Sequence, residues 1–280
     1  MGGNWFGGNW FGGNWFGGNW AGGSNGANAT RVFAMRADRP LAEITIARAY
    51  NEKFREAEWD ADLRAMAIMS EFPMQQQGGM YWQAAVALPP PTYPVTAKMI
   101  DEVLVLAVAE RPEALGEIVE EDQNFQLRWL QLLNITATSH PQTFLLMKII
   151  ARVGEFAMVQ LKLQYANTAS AGMPPWYQPR PSQVCPTIYP PVPIPGHPAY
   201  PAGHALIGTL TSECLADLLP QYADALRALA ARVGMNRMIA GLHYHEDIDA
   251  GAKAALAIKP YLSACQFYAA TFALAQKEWK

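Results

Sequence analysis

The sequence predicts an all-α protein, a helical bundle that carries one long proline-rich loop. Several segments of more than ten residues place apolar side chains three and four positions apart, as on one face of a helix. Runs of alternating β-branched residues, which would favour strands, are absent from the sequence. Eleven prolines are concentrated between residues 171 and 201, where they disfavour a regular helix or a central strand.

Length and composition indicate one globular domain and exclude some classes of protein. The chain has 280 residues, of which 51% are hydrophobic and 16% charged, enough to bury a large core. A net charge of −3 argues against a nucleic-acid partner, which usually requires an excess of Lys and Arg. No apolar run reaches the roughly eighteen residues of a membrane span. The sequence also lacks a basic segment followed by an apolar run, so we expect no secretory signal and a cytoplasmic location.

The first thirty residues differ from the rest of the chain. Residues 2–21 read GGNWF three times and then GGNWA, and the first charged residue is Arg31. Paired glycines resist helix formation, and the interleaved aromatic rings could stack on one another or on a partner. We therefore expect a low-complexity tail over 1–30 and a single all-α domain over 31–280. The tail is either an extension without a fold or a segment for self-association or docking.

In the first half of the domain, apolar spacing predicts a helix over 41–72, followed by a Gly- and Pro-rich loop over 78–94. Residues 95–139 read as two helices that part near Arg111–Pro112, because Pro ends a helix or opens the next one. A third long helix is predicted to begin at Pro141, which suits a first helical position.

In the second half, the proline-rich loop over 171–201 precedes three helical segments, at 202–220, 221–244 and 246–280. A loop of this length is uncommon in a compact domain and is usually functional. The architecture therefore predicts a loop that delivers functional residues to one end of a bundle.

The stretch HPAYPAGHA, 197–205, places Gly203 and His204 at the opening of a helix. The start of a helix offers unpaired N–H groups and partial positive charge, which favour an anion. His204 would lie where it could give a proton to that anion or take one from it.

The stretch NRMIAGLHYHEDIDAG, 236–251, holds the densest group of ionisable residues. His243 and Asp247 are four residues apart, which predicts one face of a helix and a carboxylate that orients the imidazole. Arg237 precedes His243 by six residues, a poor helical match, so we expect a break near Gly241. The guanidinium groups of Arg237 and of Arg180, in the proline-rich loop, are suited to an oxyanion.

A zinc site is a weaker interpretation of the same stretch. His243 and His245 are two residues apart and would diverge on a helix, and the sequence contains no His-Glu-x-x-His motif. The three cysteines are widely spaced and are expected to be ordinary small apolar residues.

Taken in order, these motifs resemble the signature of a superfamily that comprises type 2 phosphatidic acid phosphatases (PAP2), bacterial class A acid phosphatases and vanadium-dependent haloperoxidases. Its third motif is matched by Asn236–Arg237, His243 and Asp247, with Asn in place of Ser. Its second motif is matched by 201–204, with Ala202 in place of Ser.

The first motif of that superfamily is altered. Arg180–Pro181 is present, but Met173 stands seven residues before Arg180, where the signature has Lys. The resemblance assigns the missing ammonium to Lys162, at the end of the preceding helix and across an inserted segment. The resemblance spans roughly residues 141–256.

The resemblance implies a helical bundle of the acid phosphatase and haloperoxidase type, with an oxyanion site. It implies that His243 attacks phosphorus or bonds vanadium as vanadate, that Asp247 orients His243, and that His204 is the general acid–base. The oxyanion itself would be bound by Lys162, Arg180, Gly203 and Arg237 together with His243.

Three functions remain open at this point. The first is a vanadate-dependent haloperoxidase of the soluble bacterial branch, which oxidises halide with hydrogen peroxide. The second is a metal-independent phosphomonoesterase that acts on a phosphate ester through a phosphohistidine and needs no cofactor. The third is an assembly protein with a degenerate site and a self-associating tail. Peroxidases of this kind commonly associate, so a homo-oligomer is also expected.

Overall fold

Helices account for most of the structure, as the apolar spacing predicts. The computed structural model describes residues 61–167 and 178–280, and the all-α class is confirmed over these ranges. The predicted tail over 1–30, its boundary and most of the helix predicted over 41–72 lie outside them. The α-helices of the described ranges are α1 (Ala61–Glu71), α2 (Trp82–Ala85), α3 (Ala97–Ala109), α4 (Arg111–Asn124), α5 (Leu127–Leu133), α6 (Pro141–Asn167), α7 (Pro181–Val184), α8 (Gly203–Leu218), α9 (Ala223–Ile239), α10 (His245–Ser263) and α11 (Gln266–Glu278).

One short hairpin interrupts the loop predicted over 78–94. Strand β1 (Gln76–Gln77) pairs antiparallel with β2 (Met80–Tyr81). Gly78 and Gly79 form the turn with φ of +58° and +80°, values that glycine adopts without steric cost. The Gly78–Gly79 pair is the feature of the sequence that could have predicted this hairpin.

Two helix boundaries follow the prolines, as predicted. Helix α3 ends at Ala109, and Pro112 lies in the first turn of α4, where a missing N–H breaks no helical hydrogen bond. Pro141 begins α6, which runs to Asn167.

Two predicted helices are each divided in the structure, which corrects the sequence reading. The segment after Pro112 splits at Phe125 into α4 and α5, and 246–280 splits at Cys265 into α10 and α11. Neither division contains a proline or glycine. At the first, the Phe125 ring packs 5.9 Å from the Trp129 ring and 4.6 Å from that of His204, so tertiary burial accounts for a break that local propensity does not signal.

Helix α8 is the central helix of the described unit. All of its residues are buried except Thr209, Glu213 and Asp217. It packs against α6, α9 and α10, so its N-terminus is held in the interior. None of the helices in the described ranges is long and apolar enough to cross a bilayer.

Helices α8 and α10 approach closely at Gly251. A β-carbon at this position would overlap the carbonyl oxygen of Ala202 and lie 3.1 Å from the backbone nitrogen of Leu206. The N–H of Ala202 donates to the carbonyl of Asp247 at 2.9 Å. Gly251 therefore allows the start of α8 to dock on the first turn of α10.

Replacing Gly251 with Ala should destabilise the protein. The added methyl would push α8 away from α10, and we expect the free energy of unfolding to fall by roughly 1–3 kcal/mol. Gly116→Ala is the matched control, because Gly116 is also helical but has no atom within 4 Å of its added β-carbon. Urea unfolding should show a small gain for the control. Equal losses in both variants would contradict the close-approach argument.

Candidate active site

His243 and Asp247 meet at the start of α10. Helix α9 ends at Ile239, and Gly241 has φ of +81°, so the break expected near Gly241 is present. His243 precedes Tyr244, the N-cap of α10, and so lies outside the helix. The prediction that His243 and Asp247 share a helix face is therefore corrected. Asp247, in the first turn, reaches back, and its Oδ2 lies 3.2 Å from His243 Nδ1 and accepts the Tyr244 N–H at 2.9 Å.

This arrangement assigns the tautomer of His243. Because Asp247 Oδ2 is an acceptor, Nδ1 of His243 carries the proton and Nε2 carries the lone pair. Arg180 Nη1 lies 3.1 Å from that Nε2. Burial, with the charges of Arg180 and Lys162, lowers the pKa of His243 well below its usual value. The imidazole is therefore neutral, and its unprotonated nitrogen lies beside the Arg180 guanidinium.

Arg180 is held from several sides. Its Nη1 donates to the carbonyl of Leu242 at 2.8 Å, and its Nη2 contacts Nδ1 and the carbonyl of His197, each at 3.2 Å. Its Nε is buried and has no acceptor among the described residues. Burial lowers the pKa of Arg180 to about 10, which leaves it charged.

Arg180 is also the N-cap of α7, a one-turn helix that Pro181 opens. The prediction that the proline-rich loop contains no helix is corrected here, because proline is tolerated at the first helical position. The remainder of the described part of the loop is irregular apart from the 3₁₀ turn Pro186–Ile188.

Lys162 reaches the site from α6 but its donors are already engaged. Its Nζ donates to the carbonyls of Pro198, Ala199 and Pro201 at 2.6, 3.0 and 2.7 Å. An ammonium has three N–H groups, so all of them are used on the backbone of the loop. Burial, followed by the charge of Arg180, lowers the pKa of Lys162 well below its usual value.

Gly203 and His204 open α8, as the sequence predicts. The N–H of Gly203 is among the first four of the helix, which lack intrahelical partners. The His204 ring packs against Phe125 and hydrogen bonds the backbone of Glu121. Burial and the charge of Arg237 lower the pKa of His204 well below its usual value, so this imidazole is also neutral.

Arg237 lies in the last turn of α9 and faces α4. Its Nη2 donates to the carbonyl of Ile118 at 3.0 Å, and its guanidinium lies 3.8 Å from the carboxylates of Glu121 and Asp122. Its Nε, like that of Arg180, is buried without an acceptor among the described residues.

The structure gathers the predicted site residues in one buried place. Arg237 and Arg180 both act on the pKa of His204, and Lys162 and His204 both act on that of His243. The ionisable members are at most 4% exposed. Gly203, also buried, opens the helix beside them. The full set is Lys162, Arg180, Gly203, His204, Arg237, His243 and Asp247.

Two residues of the site were not assigned from the sequence. His197, which contacts Arg180, lies within the same dense stretch as His204, so its position was a usable signal. Glu121, beside Arg237, gives no such signal, because a glutamate in an amphipathic helix is ordinarily exposed.

The buried charges of the site favour an anionic partner. Three buried cations face two neutral imidazoles, while burial raises the pKa values of both nearby buried carboxyls, Asp247 and Glu121. Buried charges and buried N–H groups without acceptors are costly unless a partner binds them. An oxyanion beside His243 Nε2 would supply that partner.

A comparison with known proteins finds sequence similarity over a short region of the chain. No family model matches the chain. Over 53 residues the chain is 38% identical to a non-specific acid phosphatase of Salmonella typhimurium strain LT2, a match that covers 19% of this chain and 21% of that protein. The chain therefore matches about a fifth of that phosphatase, and this local similarity supports the superfamily resemblance.

Among solved structures, the chain aligns with the first transmembrane PAP2 type phosphatidylglycerolphosphate phosphatase from Bacillus subtilis. It is 12% identical, and the similarity covers 73% of this chain and 94% of that one with a TM-score of 0.27. At that score the similarity carries no weight for fold or function.

Lys162→Met tests whether the ammonium holds the loop. The variant would leave three buried carbonyls without their donor, and we expect it to unfold more easily by roughly 2–5 kcal/mol in urea. Lys98→Met is the control, since the Lys98 side chain is 86% exposed and should change little. If Lys162→Met kept full stability and lost only phosphate affinity, Lys162 would serve the oxyanion and not the loop.

Proposed function

We propose that the protein is a PAP2-superfamily phosphatase, a metal-independent phosphomonoesterase that acts through a phosphohistidine at His243. One observation carries the proposal: the unprotonated Nε2 of His243 lies beside Arg180, within a group of buried cations whose guanidinium Nε–H groups lack acceptors. This is the environment a phosphoryl group needs, since catalysis of its transfer rests on positioning and charge stabilisation. The local similarity to an acid phosphatase supports a phosphate ester as the substrate.

In the first step, Nε2 of His243 attacks phosphorus, an N–P bond forms and the P–O bond to the alcohol breaks. Asp247 stabilises the charge that develops on the imidazole. His204 gives a proton to the leaving oxygen; the approach of the substrate dianion raises its pKa towards the value this requires. In the second step, water attacks phosphorus, His204 takes the water proton, and the N–P bond breaks to release inorganic phosphate.

The residues also fit vanadate, because bound vanadate resembles the transition state of phosphoryl transfer in charge and geometry. His243 Nε2 could bind it. When bound in a haloperoxidase, it would activate hydrogen peroxide for halide oxidation. Ala202 offers no hydroxyl to such a ligand, and the comparisons give no support to the haloperoxidase branch. We therefore propose that vanadate binds this site as an inhibitor. An assay of halide oxidation by hydrogen peroxide with added vanadate, run beside the ester hydrolysis assay, tests the haloperoxidase alternative.

The third function, an assembly protein with a degenerate site, is not favoured by the site. His243 retains its Asp247 partner, and both arginines of the predicted site are present and buried. The repeats over 2–21 lie outside the described residues, and their role in self-association remains a prediction.

His243→Ala should abolish hydrolysis of a generic phosphate ester, lowering kcat by at least about a thousandfold, because the nucleophile is lost. His245→Ala is the matched control: it lies two residues away, its side chain is 60% exposed, and its partner is Asp249. Rapid quenching with a ³²P-labelled ester should trap an acid-labile, alkali-stable phosphoenzyme in the wild type and the control only. Undiminished turnover in His243→Ala would rule out the assignment.

The pH profile of kcat/KM should lack the fall below pH 6.5 that an ordinary histidine nucleophile gives. Because the pKa of His243 is lowered, its neutral form persists as the pH falls through 6.5. A histidine with a pKa of about 6.5 would cost roughly tenfold by pH 5.5. We expect less than about threefold over the same interval, after correction for ionisation of the ester. Burial raises the pKa of Asp247 to about 7, so its protonation could also lower kcat/KM in this range. A limb of unit slope below pH 6.5 that persists in Asp247→Asn would contradict the lowered pKa of His243.

A further inference from the structure

Glu121 is a buried carboxyl that the proposed mechanism does not use. It lies on α4 with 1% of its surface exposed. Its Oε2 is 3.8 Å from Nη2 of Arg237, and its Oε1 accepts from Nδ2 of Asn236 at 2.8 Å. A carboxyl so placed acts directly on the guanidinium of Arg237, which the proposed function assigns to the oxyanion.

Asn236 joins Glu121 to the site in a way the superfamily signature does not. Where the signature has Ser, the amide of Asn236 donates to Glu121 and to Glu117, each at 2.8 Å. The residue before Arg237 is thereby tied to two carboxylates one turn apart on α4.

The charges around Glu121 come from several elements. Burial raises its pKa to about 7; Arg237, the Asn236 hydrogen bond and Arg128 oppose the rise, and Glu117 adds to it. Nε of Arg128, on α5, is 4.0 Å from Glu121 Oε1. The charged and titratable groups that surround it are Glu117 and Asp122 on α4, Arg128 on α5, His204 on α8 and Arg237 on α9.

We propose that Glu121 is a positioning residue for Arg237: its carboxylate holds the guanidinium and competes for it with a bound oxyanion. This rests on the proposed function, because it deepens the account of the same anion site. Nε of Arg237 is buried and has no acceptor among the described residues, so that donor remains for the ligand.

Competition between Glu121 and the oxyanion for Arg237 predicts the direction in which anion affinity changes with pH. A carboxylate and an oxyanion near one guanidinium in a buried site repel each other, so the anion binds more tightly when Glu121 is protonated. Binding therefore raises the pKa of Glu121 and takes up a proton. Affinity for an anion that does not itself titrate should rise as the pH falls through the pKa of Glu121.

Isothermal titration calorimetry of the full chain with sulfate tests this, because sulfate stays a dianion between pH 5.5 and 8.5. We expect the wild type to bind sulfate about tenfold more tightly at pH 5.5 than at pH 8.5, which corresponds to a shift of about one pKa unit. Glu121→Gln should bind more tightly than the wild type at pH 8.5 and lose the part of this pH dependence that Glu121 contributes. Its proton uptake, measured in buffers of different ionisation enthalpy, should be smaller than that of the wild type, while His204 and Asp247 still take up protons as the dianion binds.

Glu120→Gln is the matched control. Glu120 precedes Glu121 on α4 and pairs with Arg128 at 3.4 Å, but its side chain is 37% exposed, and we expect it to behave as the wild type. If Glu121→Gln does not fold, Asn236→Ser is the second variant. Losing the hydrogen bond from the Asn236 amide raises the pKa of Glu121. The midpoint of the pH dependence of sulfate affinity should therefore move to higher pH.

Each outcome decides between the proposals. Wild-type pH dependence and proton uptake in Glu121→Gln, or an unmoved midpoint in Asn236→Ser, would overturn the role of Glu121 alone. Sulfate binding with the expected pH dependence but no ester hydrolysis would overturn the phosphatase proposal alone. No sulfate binding by the wild type at either pH would overturn both.

Discussion

Asp247 joins the two halves of the site, and the remaining geometry depends on it. Its carboxylate orients the His243 ring and accepts the Tyr244 N–H, while its backbone carbonyl accepts the N–H of Ala202. The residue that fixes the tautomer of one histidine therefore also fixes the start of the helix that carries the other, His204. Gly251, one turn further along α10, makes this contact sterically possible.

Around Asp247, the protein buries several positively charged side chains in an interior from which water is largely excluded. Lys162, Arg180 and Arg237 are all buried, and each is also engaged by backbone carbonyls. Carbonyl dipoles offset part of the cost of burying a cation but leave its charge in place. If the site binds an anion as proposed, its donors are held in place in advance and binding requires little rearrangement.

Sequence reasoning reached the fold class, the proline-defined helix starts and the group of residues that form the site. These depend on local signals: apolar spacing, proline position and the spacing of Arg, His and Asp along one segment. It did not reach the break at Phe125, which tertiary packing causes, or the placement of His243 before α10, which depends on capping geometry. Glu121 and the carbonyl partners of Lys162 were also out of reach, because they are contacts between segments far apart in the chain.

The three hydrogen bonds of Lys162 have a consequence for how such a loop can diverge. The ammonium recognises the path of the main chain from Pro198 to Pro201 and makes no use of the side chains there. Substitutions in that stretch are tolerated by this contact as long as the path is kept, whereas the lysine itself is not replaceable by a shorter or uncharged residue. A loop held in this way can keep its path while the side chains along it change.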